Sequence, residues 1–266
     1  MESAVTHFLG GVGLFLLGMW LMTDGLKLAA GPALEHILRE WTRTRMRGLF
    51  SGILVTGVVQ SSTAVTVATI GFVNAGLLSL GQSMWVIFGS NVGTTMTGWL
   101  VALIGFKFKV ELFALPMIGV GMLLRLTGEN TRRGAIGLAL AGFGTLFLGI
   151  DVLSNGFLGL QSHFDLRDMV MAGPAGVILP VLAGFMLTLL MQSSSAAMVI
   201  VLTATAAGVP LATAAATVIG INVGTTATAL IAAMGATPAA RRTAAAHVLF
   251  NLLTGIVALL ILAPLL

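Results

Sequence analysis

A polar motif occurs twice in this chain, within surroundings that are otherwise strongly apolar. The first copy, residues 60–64 (Gln-Ser-Ser-Thr-Ala), is followed by residues 89–95 (Gly-Ser-Asn-Val-Gly-Thr-Thr). The second copy, residues 192–196 (Gln-Ser-Ser-Ser-Ala), is followed by residues 220–226 (Gly-Ile-Asn-Val-Gly-Thr-Thr). Hydroxyl and amide groups are unfavourable in an apolar environment unless something satisfies them. A duplicated pair of polar interruptions is typical of transporters whose binding site lies where two repeats meet.

The composition predicts an integral membrane protein. Hydrophobic residues make up 57% of the chain, charged residues 8%, and the mean hydropathy is +1.05, whereas soluble domains carry about 25% charged residues. Weakly charged runs at 4–26, 134–150, 170–191 and 243–266 approach or exceed the roughly 20 residues that a spanning helix needs. The residues before the first run lack the basic start of a signal peptide, so we expect that run to be retained as the first spanning helix.

Several other classes of protein do not fit the sequence. The chain has no cysteine, which excludes disulfides and thiolate-bound metals. The net charge is only +4 despite a pI near 10.7, and the basic residues fall in short connections rather than on one face, so we expect no nucleic-acid partner. Neither a phosphate-binding loop with lysine nor a base near the serines is evident. We therefore expect a protein that is not an enzyme and that uses no organic cofactor.

The duplication extends beyond the motifs and predicts two repeats. Residues 18–25 match residues 149–156, and the predicted repeats are 1–128 and 134–266 with a connector at 129–133. The connection at 27–47 and the repeat connector are rich in arginine, whereas the 160–175 connection, the counterpart of 27–47, carries only Arg167. The positive-inside rule places basic connections in the cytoplasm. The two repeats are therefore predicted to have inverted topology.

Each repeat is predicted to contain a re-entrant hairpin and a broken helix. The apolar stretch 48–59 is too short to span a bilayer at 1.5 Å per residue, so the Gln-Ser-Ser segment reads as a break between two helices, and its second copy is interpreted in the same way. Glycines on both sides of each asparagine permit irregular backbone. The predicted fold is thus an all-α integral membrane protein with two inverted repeats.

The residue types in the two motifs suit both an oxyanion and a sodium ion. An oxyanion needs hydroxyl, amide and backbone N–H donors, whereas sodium needs hydroxyl and carbonyl oxygens. Serine and threonine also mediate helix packing in membranes, which is the alternative for each residue taken alone. The phosphate-binding candidates are Gln60, Ser61, Ser62, Thr63, Asn91, Ser193, Ser194, Ser195 and Asn222. The sodium-binding candidates are Gln60, Ser61, Thr94, Thr95, Gln192, Ser193, Thr225, Thr226 and Thr228.

Three further polar residues are candidates for coupling. Asp151 is expected in the middle of a membrane helix, where an ionisable group is a functional candidate by default. His247 and Asn251 are four residues apart and are expected on one face of the last helix. The alternative for all three is a structural hydrogen bond between or within helices.

These motifs resemble those of the type II sodium-dependent inorganic phosphate cotransporters and their bacterial relatives. The similarity covers both repeats and includes residues 241–251 (Arg-Arg-Thr-Ala-Ala-Ala-His-Val-Leu-Phe-Asn). The resemblance implies inverted repeats, a multi-pass location in the cell membrane (the inner membrane of a bacterium) and symport of phosphate with sodium. It implies phosphate contacts from Ser61, Ser62, Ser193 and Ser194. It implies sodium contacts from Gln192, Ser193, Thr225 and Thr228, with Gln60, Asn91 and Asn222 framing the site.

Two departures from the family pattern bear on these expectations. Many bacterial members carry a soluble PhoU-like tail, and this sequence stops at Leu266, which indicates a short or trimmed member. Some animal members have aspartate directly after the histidine, where it is linked to an additional sodium ion, and this chain has Val248 there. The substitution predicts electroneutral transport of divalent phosphate with two sodium ions.

Other functions remain open on the sequence alone. Serine and glutamine do not distinguish among anions, so a sodium- or proton-coupled symporter of sulfate or a carboxylate is the first alternative. A membrane scaffold without transport activity is the second. A homodimer is compatible with the sequence, which does not indicate the oligomeric state.

Overall fold

The computed structural model describes residues 2–42, 44–105, 110–161 and 175–265. In this part of the chain the secondary structure is helical throughout, with a single π-helical turn at Val101–Gly105. The α-helices are α1 (Glu2–Glu40), α2 (Arg45–Val59), α3 (Ser62–Asn74), α4 (Leu80–Leu100), α5 (Val110–Thr127), α6 (Arg132–Gln161), α7 (Ala175–Met191), α8 (Ser194–Ala206), α9 (Leu211–Gly224), α10 (Thr226–Ala232) and α11 (Pro238–Leu265).

Long apolar helices confirm the prediction of a multi-pass membrane protein. Five segments within the described residues are long and apolar enough to cross a membrane: Ala4–Ala30, Leu80–Leu103, Arg132–Gly159, Leu211–Ala232 and Pro238–Leu262. Two of the predicted apolar runs, 4–26 and 134–150, lie in α1 and α6, and the run 243–266 lies in α11 as far as Leu265. The fourth, 170–191, lies in α7 from Ala175 onward, and residues 162–174, which include Arg167, lie outside the described residues. The charge argument for inverted topology depends on that segment and stays a prediction.

Both predicted breaks at the Gln-Ser segments are present. Helix α2 ends at Val59 and α3 begins at Ser62, while α7 ends at Met191 and α8 begins at Ser194. Gln60 and Gln192 adopt the left-handed conformation, with φ of 56° and 52°, which ends the preceding helix in each case. The re-entrant path of these helix pairs through a membrane stays a prediction.

The prediction of an unwound segment in the first repeat is wrong. Helix α4 runs without interruption through residues 89–95, and the departure from α geometry comes later, at Val101–Gly105. Gly89 and Gly93 serve close packing instead: a Cβ on Gly89 would lie 2.0 Å from the Leu49 carbonyl oxygen, and one on Gly93 would lie 2.8 Å from the Thr56 Cβ. In this helix the glycines remove steric bulk and leave the backbone hydrogen bonds intact.

The corresponding segment of the second repeat is interrupted, although only slightly. Helix α9 ends at Gly224 and α10 begins at Thr226. Thr225, between them, keeps helical dihedral angles, and its N–H donates to the Asn222 carbonyl at 3.3 Å. The helix therefore tightens at this point rather than unwinding, because the hydrogen bond reaches back three residues.

The basic 27–47 segment, predicted to be a connection between helices, is mostly helical, and this corrects the prediction. Helix α1 continues to Glu40 and α2 begins at Arg45, where the Thr44 side chain accepts a hydrogen bond from the Arg47 N–H at 3.4 Å. The connection between the first two helices is therefore short.

The described residues fall into two compact units, and each unit contains segments from both predicted repeats. Unit 1 lies within 1–31, 98–170 and 199–210, and unit 2 lies within 32–97, 171–198 and 211–266. These units differ from the predicted repeats, whose boundaries stay a prediction.

Glycines allow close helix packing in unit 1. A Cβ on Gly18 of α1 would lie 2.1 Å from the Leu146 backbone nitrogen of α6, and one on Gly142 of α6 would lie 2.1 Å from the Met22 nitrogen of α1. Because real Cβ atoms do not approach backbone this closely, α1 and α6 can pack at this distance only with glycine at both positions. The side chains of Phe15 and Leu153 are fully buried in this unit.

Unit 2 contains two helix pairs that are built alike. A Cβ on Gly52 of α2 would lie 2.1 Å from the Val86 carbonyl oxygen of α4. In the second half, a Cβ on Gly184 of α7 would lie 2.0 Å from the Thr217 carbonyl oxygen of α9. The glycines occupy equivalent positions of the two sequence copies, so α2·α4 and α7·α9 share one mode of packing.

Helices α3, α10 and α11 of unit 2 surround a common apolar core. Its buried members include Ile70 and Val73 of α3, Ala229 of α10 and Ala244 of α11. Hydrogen bonds fasten the same helices to their neighbours: the Thr237 N–H donates to Asn74 Oδ1 at 2.8 Å, and the Ser83 and Thr243 hydroxyls are 3.0 Å apart. This packing fixes where α3 begins relative to α4 and α11.

We expect Gly184→Ala to lower the thermal unfolding temperature markedly, because the added Cβ would clash with backbone of α9 and overpacking costs about 1–3 kcal/mol. Gly71→Ala on α3 is the matched control, since a Cβ there meets no atom within 4 Å and alanine is favoured over glycine in helices by about 1 kcal/mol. Thermal unfolding of the purified protein in detergent measures both. Equal losses in the two variants would contradict the packing argument.

Candidate functional site

A cavity of about 160 Å³ lies within unit 2 and is lined by residues from both sequence copies. Seven of its lining residues are among the candidates predicted from the sequence, and the rest are apolar. The lining residues are Ser62, Asn91, Thr94, Thr95, Ser194, Met198, Val218, Ile221, Asn222 and Thr225. Both polar motifs thus contribute side chains to one small space.

Two helices begin at the cavity. Ser62 is the first residue of α3 and Ser194 is the first residue of α8, so the N-terminal ends of both helices reach its wall. Helix N-termini carry unpaired N–H groups and partial positive charge, which favour anions. Among the described residues, no hydrogen bond engages the Ser62 or Ser194 hydroxyl, so both are available as donors to a ligand.

The serine that precedes each of these helices has a structural task. Ser61 accepts a hydrogen bond from the Ala64 N–H at 3.2 Å, and Ser193 accepts one from the Ala196 N–H at 3.2 Å. Both therefore cap the helix that follows. The capping orients the next serine of each motif, which is the one that lines the cavity.

The two asparagines lie on opposite helix pairs and differ in their hydrogen bonding. Asn222 on α9 donates through Nδ2 to the Thr254 hydroxyl at 3.4 Å. Asn91 on α4 has a buried Nδ2 that finds no partner within the described residues. An unpaired amide donor next to a cavity is what a bound anion or water would satisfy.

The threonines of the cavity present lone pairs rather than donors. Thr94 and Thr95 donate their hydroxyl protons to the Ser90 and Val92 carbonyls at 2.9 and 2.7 Å, and Thr225 donates to the Asn222 carbonyl at 2.6 Å. A hydroxyl whose single proton is already used can only accept further bonds. These oxygens are therefore suited to a cation.

The cavity is electrically neutral. Its polar lining consists of hydroxyl and amide groups, and Met198, Val218 and Ile221 form an apolar wall. An ion that enters cannot rely on an opposite side-chain charge from these residues. A bound anion would need a cation beside it, because an isolated charge in apolar surroundings is strongly disfavoured.

Gln60 does not line the cavity but lies in a buried hydrogen-bond network. Its Nε2 donates to the Gly57 carbonyl, and its Oε1 accepts from the Thr97 hydroxyl at 2.8 Å. Thr97 is also hydrogen-bonded to the Ser195 hydroxyl at 3.3 Å. The network links the first motif to the second, so Ser195 and Gln60 are brought together although both lie outside the cavity lining.

The remaining candidates from the two motifs also lie outside the cavity lining. Gln192 is exposed and donates to the Leu189 carbonyl at 2.6 Å, while Thr63 is half-buried in the first turn of α3. Thr226 and Thr228 donate to the carbonyls of Val223 and Thr225, at 2.7 and 2.9 Å. Binding of a ligand by these residues stays a prediction.

The three coupling candidates lie on long helices. Asp151 is half-buried on α6 in unit 1 and takes part in an interaction. His247 and Asn251 are buried on α11 in unit 2, where Asn251 Nδ2 donates to the His247 carbonyl at 2.8 Å. Within the described residues, His247 Nδ1 and Asn251 Oδ1 have no hydrogen-bond partner. Neither residue lines the cavity.

Sequence reasoning missed Thr97 and the apolar wall. Thr97 corresponds to Thr228 in the second copy, so an alignment of the two copies contains the signal that points to it. Met198, Val218 and Ile221 carry no such signal, because apolar residues are common throughout the chain.

Comparison with known proteins identifies the family. The model of the Na+/Pi-cotransporter family matches residues 14–155 and 162–263, which together span most of the chain. No solved structure matches the chain significantly.

Individual relatives agree with this match. YqeW of Bacillus subtilis is 34% identical over 243 residues, which cover 90% of this chain and 76% of the relative. YjbB of Salmonella typhimurium, whose name describes inorganic phosphate export, is 27% identical over 260 residues that cover 97% of this chain and 47% of YjbB. The rat sodium-dependent phosphate transport protein 2A is 35% identical over 101 residues, which cover 37% of this chain and 16% of that protein. This chain thus spans about half the length of YjbB and a smaller part of the rat protein. On the family match and its long apolar helices, the chain is a multi-pass membrane protein that belongs to the Na+/Pi-cotransporter family.

Proposed function

We propose that this protein is a secondary transporter that couples the movement of inorganic phosphate to sodium by alternating access between two inverted repeats, residues 1–128 and 134–266. The observation that carries the proposal is the neutral cavity in which both polar motifs meet. Family membership supports phosphate as the substrate. The name of the rat relative supports sodium as the coupling ion. We place the protein in the inner membrane of a bacterium.

The hydrogen bonds of the cavity support separate roles for its serines and threonines. Ser62 and Ser194 have free hydroxyl donors at two helix N-termini, which is the chemistry that a phosphate oxygen requires. The hydroxyls of Thr94, Thr95 and Thr225 donate to backbone carbonyls. Their oxygen lone pairs remain as acceptors, which suits them to sodium. Asn91 and Asn222 frame the space and can serve either ion.

Neutrality of the cavity explains why the two ions would travel together. A phosphate dianion in this space lacks a cationic side chain among the lining residues, so co-bound sodium supplies the compensating charge. Moving one elementary charge against 100 mV costs about 2.3 kcal/mol, and sodium also offsets that work. The proposal thus makes sodium a requirement for phosphate binding and not only an energy source.

Uptake of radiolabelled phosphate into proteoliposomes tests the proposed function. We expect uptake when an inward sodium gradient is present and little uptake when potassium or choline replaces sodium. Excess sulfate should compete weakly if phosphate is the substrate. Uptake that is indifferent to sodium would contradict the proposal, and strong inhibition by sulfate would favour the alternative of another anion symporter.

The direction of transport has a second candidate, which is export. The name of the YjbB relatives describes phosphate export. Proteoliposomes loaded with phosphate and given an outward sodium gradient test the reverse direction. Because a symporter follows the combined gradients of its ions, equal rates in matched opposite gradients would leave cellular conditions to decide the direction.

We expect Ser62→Ala and Ser194→Ala each to weaken the apparent affinity for phosphate by a factor of roughly 10 to 100, since a hydrogen bond to a charged group contributes about 1.5–3 kcal/mol. Thr225→Val should instead raise the sodium concentration needed for half-maximal uptake by roughly tenfold. The matched control is Ser51→Ala, a buried serine outside the cavity lining whose hydroxyl has no hydrogen-bond partner within the described residues. Initial rates measured against phosphate and sodium concentration separate the two effects. Unchanged kinetics in the serine variants would contradict phosphate binding by Ser62 and Ser194, and absence of uptake by the unaltered protein would favour the scaffold alternative.

We expect transport to be electroneutral, because Val248 stands where some animal members have aspartate. Charge movement on a supported membrane, or current under voltage clamp, measures this directly. A clear inward current that tracks phosphate uptake would contradict the stoichiometry of two sodium ions per divalent phosphate.

A further inference from the structure

The two helix breaks have the same local geometry. Gln60 and Gln192 are both left-handed, and each donates its Nε2 to the carbonyl three residues earlier. Ser61 and Ser193 follow them and accept a hydrogen bond from the N–H three residues later, at 3.2 Å in both cases. Local sequence therefore shapes the two breaks alike.

Their surroundings differ sharply. The Gln60 side chain is 7% exposed, and its Oε1 accepts the Thr97 hydroxyl at 2.8 Å. Thr97 in turn is hydrogen-bonded to Ser195, the third residue after Gln192. Gln192 itself is exposed, and in the described part of the chain its one hydrogen bond is the one within its own turn. The first break is thus linked to the second sequence copy by the hydrogen bonds Gln60–Thr97–Ser195, and we call this link a bridge and the break that has it closed. The second break has no such bridge within the described residues and is called open.

The sequence contains counterparts of both residues that form this bridge with Gln60. Thr228 corresponds to Thr97, and Thr63 corresponds to Ser195. Thr228 at present donates to the Thr225 carbonyl at 2.9 Å, within its own helix. A bridge from Thr228 to Gln192 and Thr63 would reproduce the chemistry of the first bridge, because threonine can replace serine as a hydroxyl partner.

We propose that Thr97 is a positioning residue that holds the first break closed by joining Gln60 to Ser195, and that Thr228 joins Gln192 to Thr63 in the opposite state of the protein. The inference rests on the proposed alternating-access function, since it names the contacts that would exchange. Each state leaves one glutamine buried and bridged and the other exposed to water. Because the exchange replaces one satisfied amide by another, the two states differ little in free energy, and bound ions can shift their populations.

Pairs of introduced cysteines test the exchange directly, because the chain has no cysteine of its own. We expect Thr97→Cys/Ser195→Cys to form a disulfide rapidly with a mild oxidant, since the two hydroxyl oxygens are 3.3 Å apart. Thr63→Cys/Thr228→Cys should form one more slowly, when the protein visits the opposite state. The four single-cysteine variants control for cross-links between molecules, and gel mobility with and without reductant gives the readout.

Thr97 variants on the Thr63→Cys/Thr228→Cys background test the positioning role. Thr97→Val leaves Gln60 Oε1 buried without its donor, so it should raise the cross-linking rate of that pair by roughly fivefold to tenfold. Thr97→Ser keeps the hydroxyl and should restore the original rate. Thr97→Ala serves as a second variant without the hydroxyl if valine prevents folding, which size-exclusion chromatography reveals.

Three outcomes would overturn the proposal. The first is absence of the Thr97→Cys/Ser195→Cys disulfide. The second is absence of the Thr63→Cys/Thr228→Cys disulfide at every sodium and phosphate concentration tested. The third is an equal rate for Thr97→Val and Thr97→Ser. Since cross-linking does not depend on transport, exchange without sodium-dependent uptake would refute the proposed function alone, and uptake without exchange would refute this inference alone.

Discussion

The structure depends on the side-chain hydrogen bonds with which the chain ends one apolar helix and begins the next. A helix that ends in apolar surroundings exposes carbonyls, and the helix that follows exposes N–H groups. At each break a glutamine side chain donates to a carbonyl of the helix that ends, and a serine side chain accepts from an N–H of the helix that begins. The Gln-Ser dipeptide therefore supplies both halves of the termination, which lets two helices begin at the cavity.

The structure depends in addition on glycine residues, which let the two helices of each pair approach closely. Gly52 and Gly89 let α2 and α4 pack with backbone against backbone, and Gly184 and Gly220 do the same for α7 and α9. Such packing needs no side-chain volume between the helices, as is common where small residues lie at membrane helix contacts. It sets Asn91 and Asn222 beside the helix starts at Ser62 and Ser194.

In the resulting cavity, the serine and threonine hydroxyls differ in the hydrogen bonds that they already make, and they are therefore suited to different ligands. Serine and threonine hydroxyls have the same inventory of one donor and two lone pairs. In the cavity the serines lie at helix starts, where backbone carbonyls do not take their protons, whereas the threonines lie within helices and donate to carbonyls one turn back. The position of a hydroxyl along its helix thus decides whether it suits an anion or a cation.

The sequence by itself determined the membrane character and the two breaks, because both depend on local chemistry, and seven of its candidate residues are among those that the tertiary structure brings together at the cavity. Long apolar runs favour helices, and the Gln-Ser pair ends one helix and caps the next in both copies of the polar motif. The same reasoning failed at residues 89–95, where glycine flanking Asn91 suggested unwinding. Only the tertiary structure shows that those glycines face α2, because a missing side chain permits either irregular backbone or close packing and only the neighbour decides which. Tertiary structure alone also decided that Gln60 is buried against Thr97 while Gln192 is exposed. The two glutamines share the Gln-Ser-Ser sequence and the left-handed conformation, and the difference in their burial arises from contacts distant in the chain.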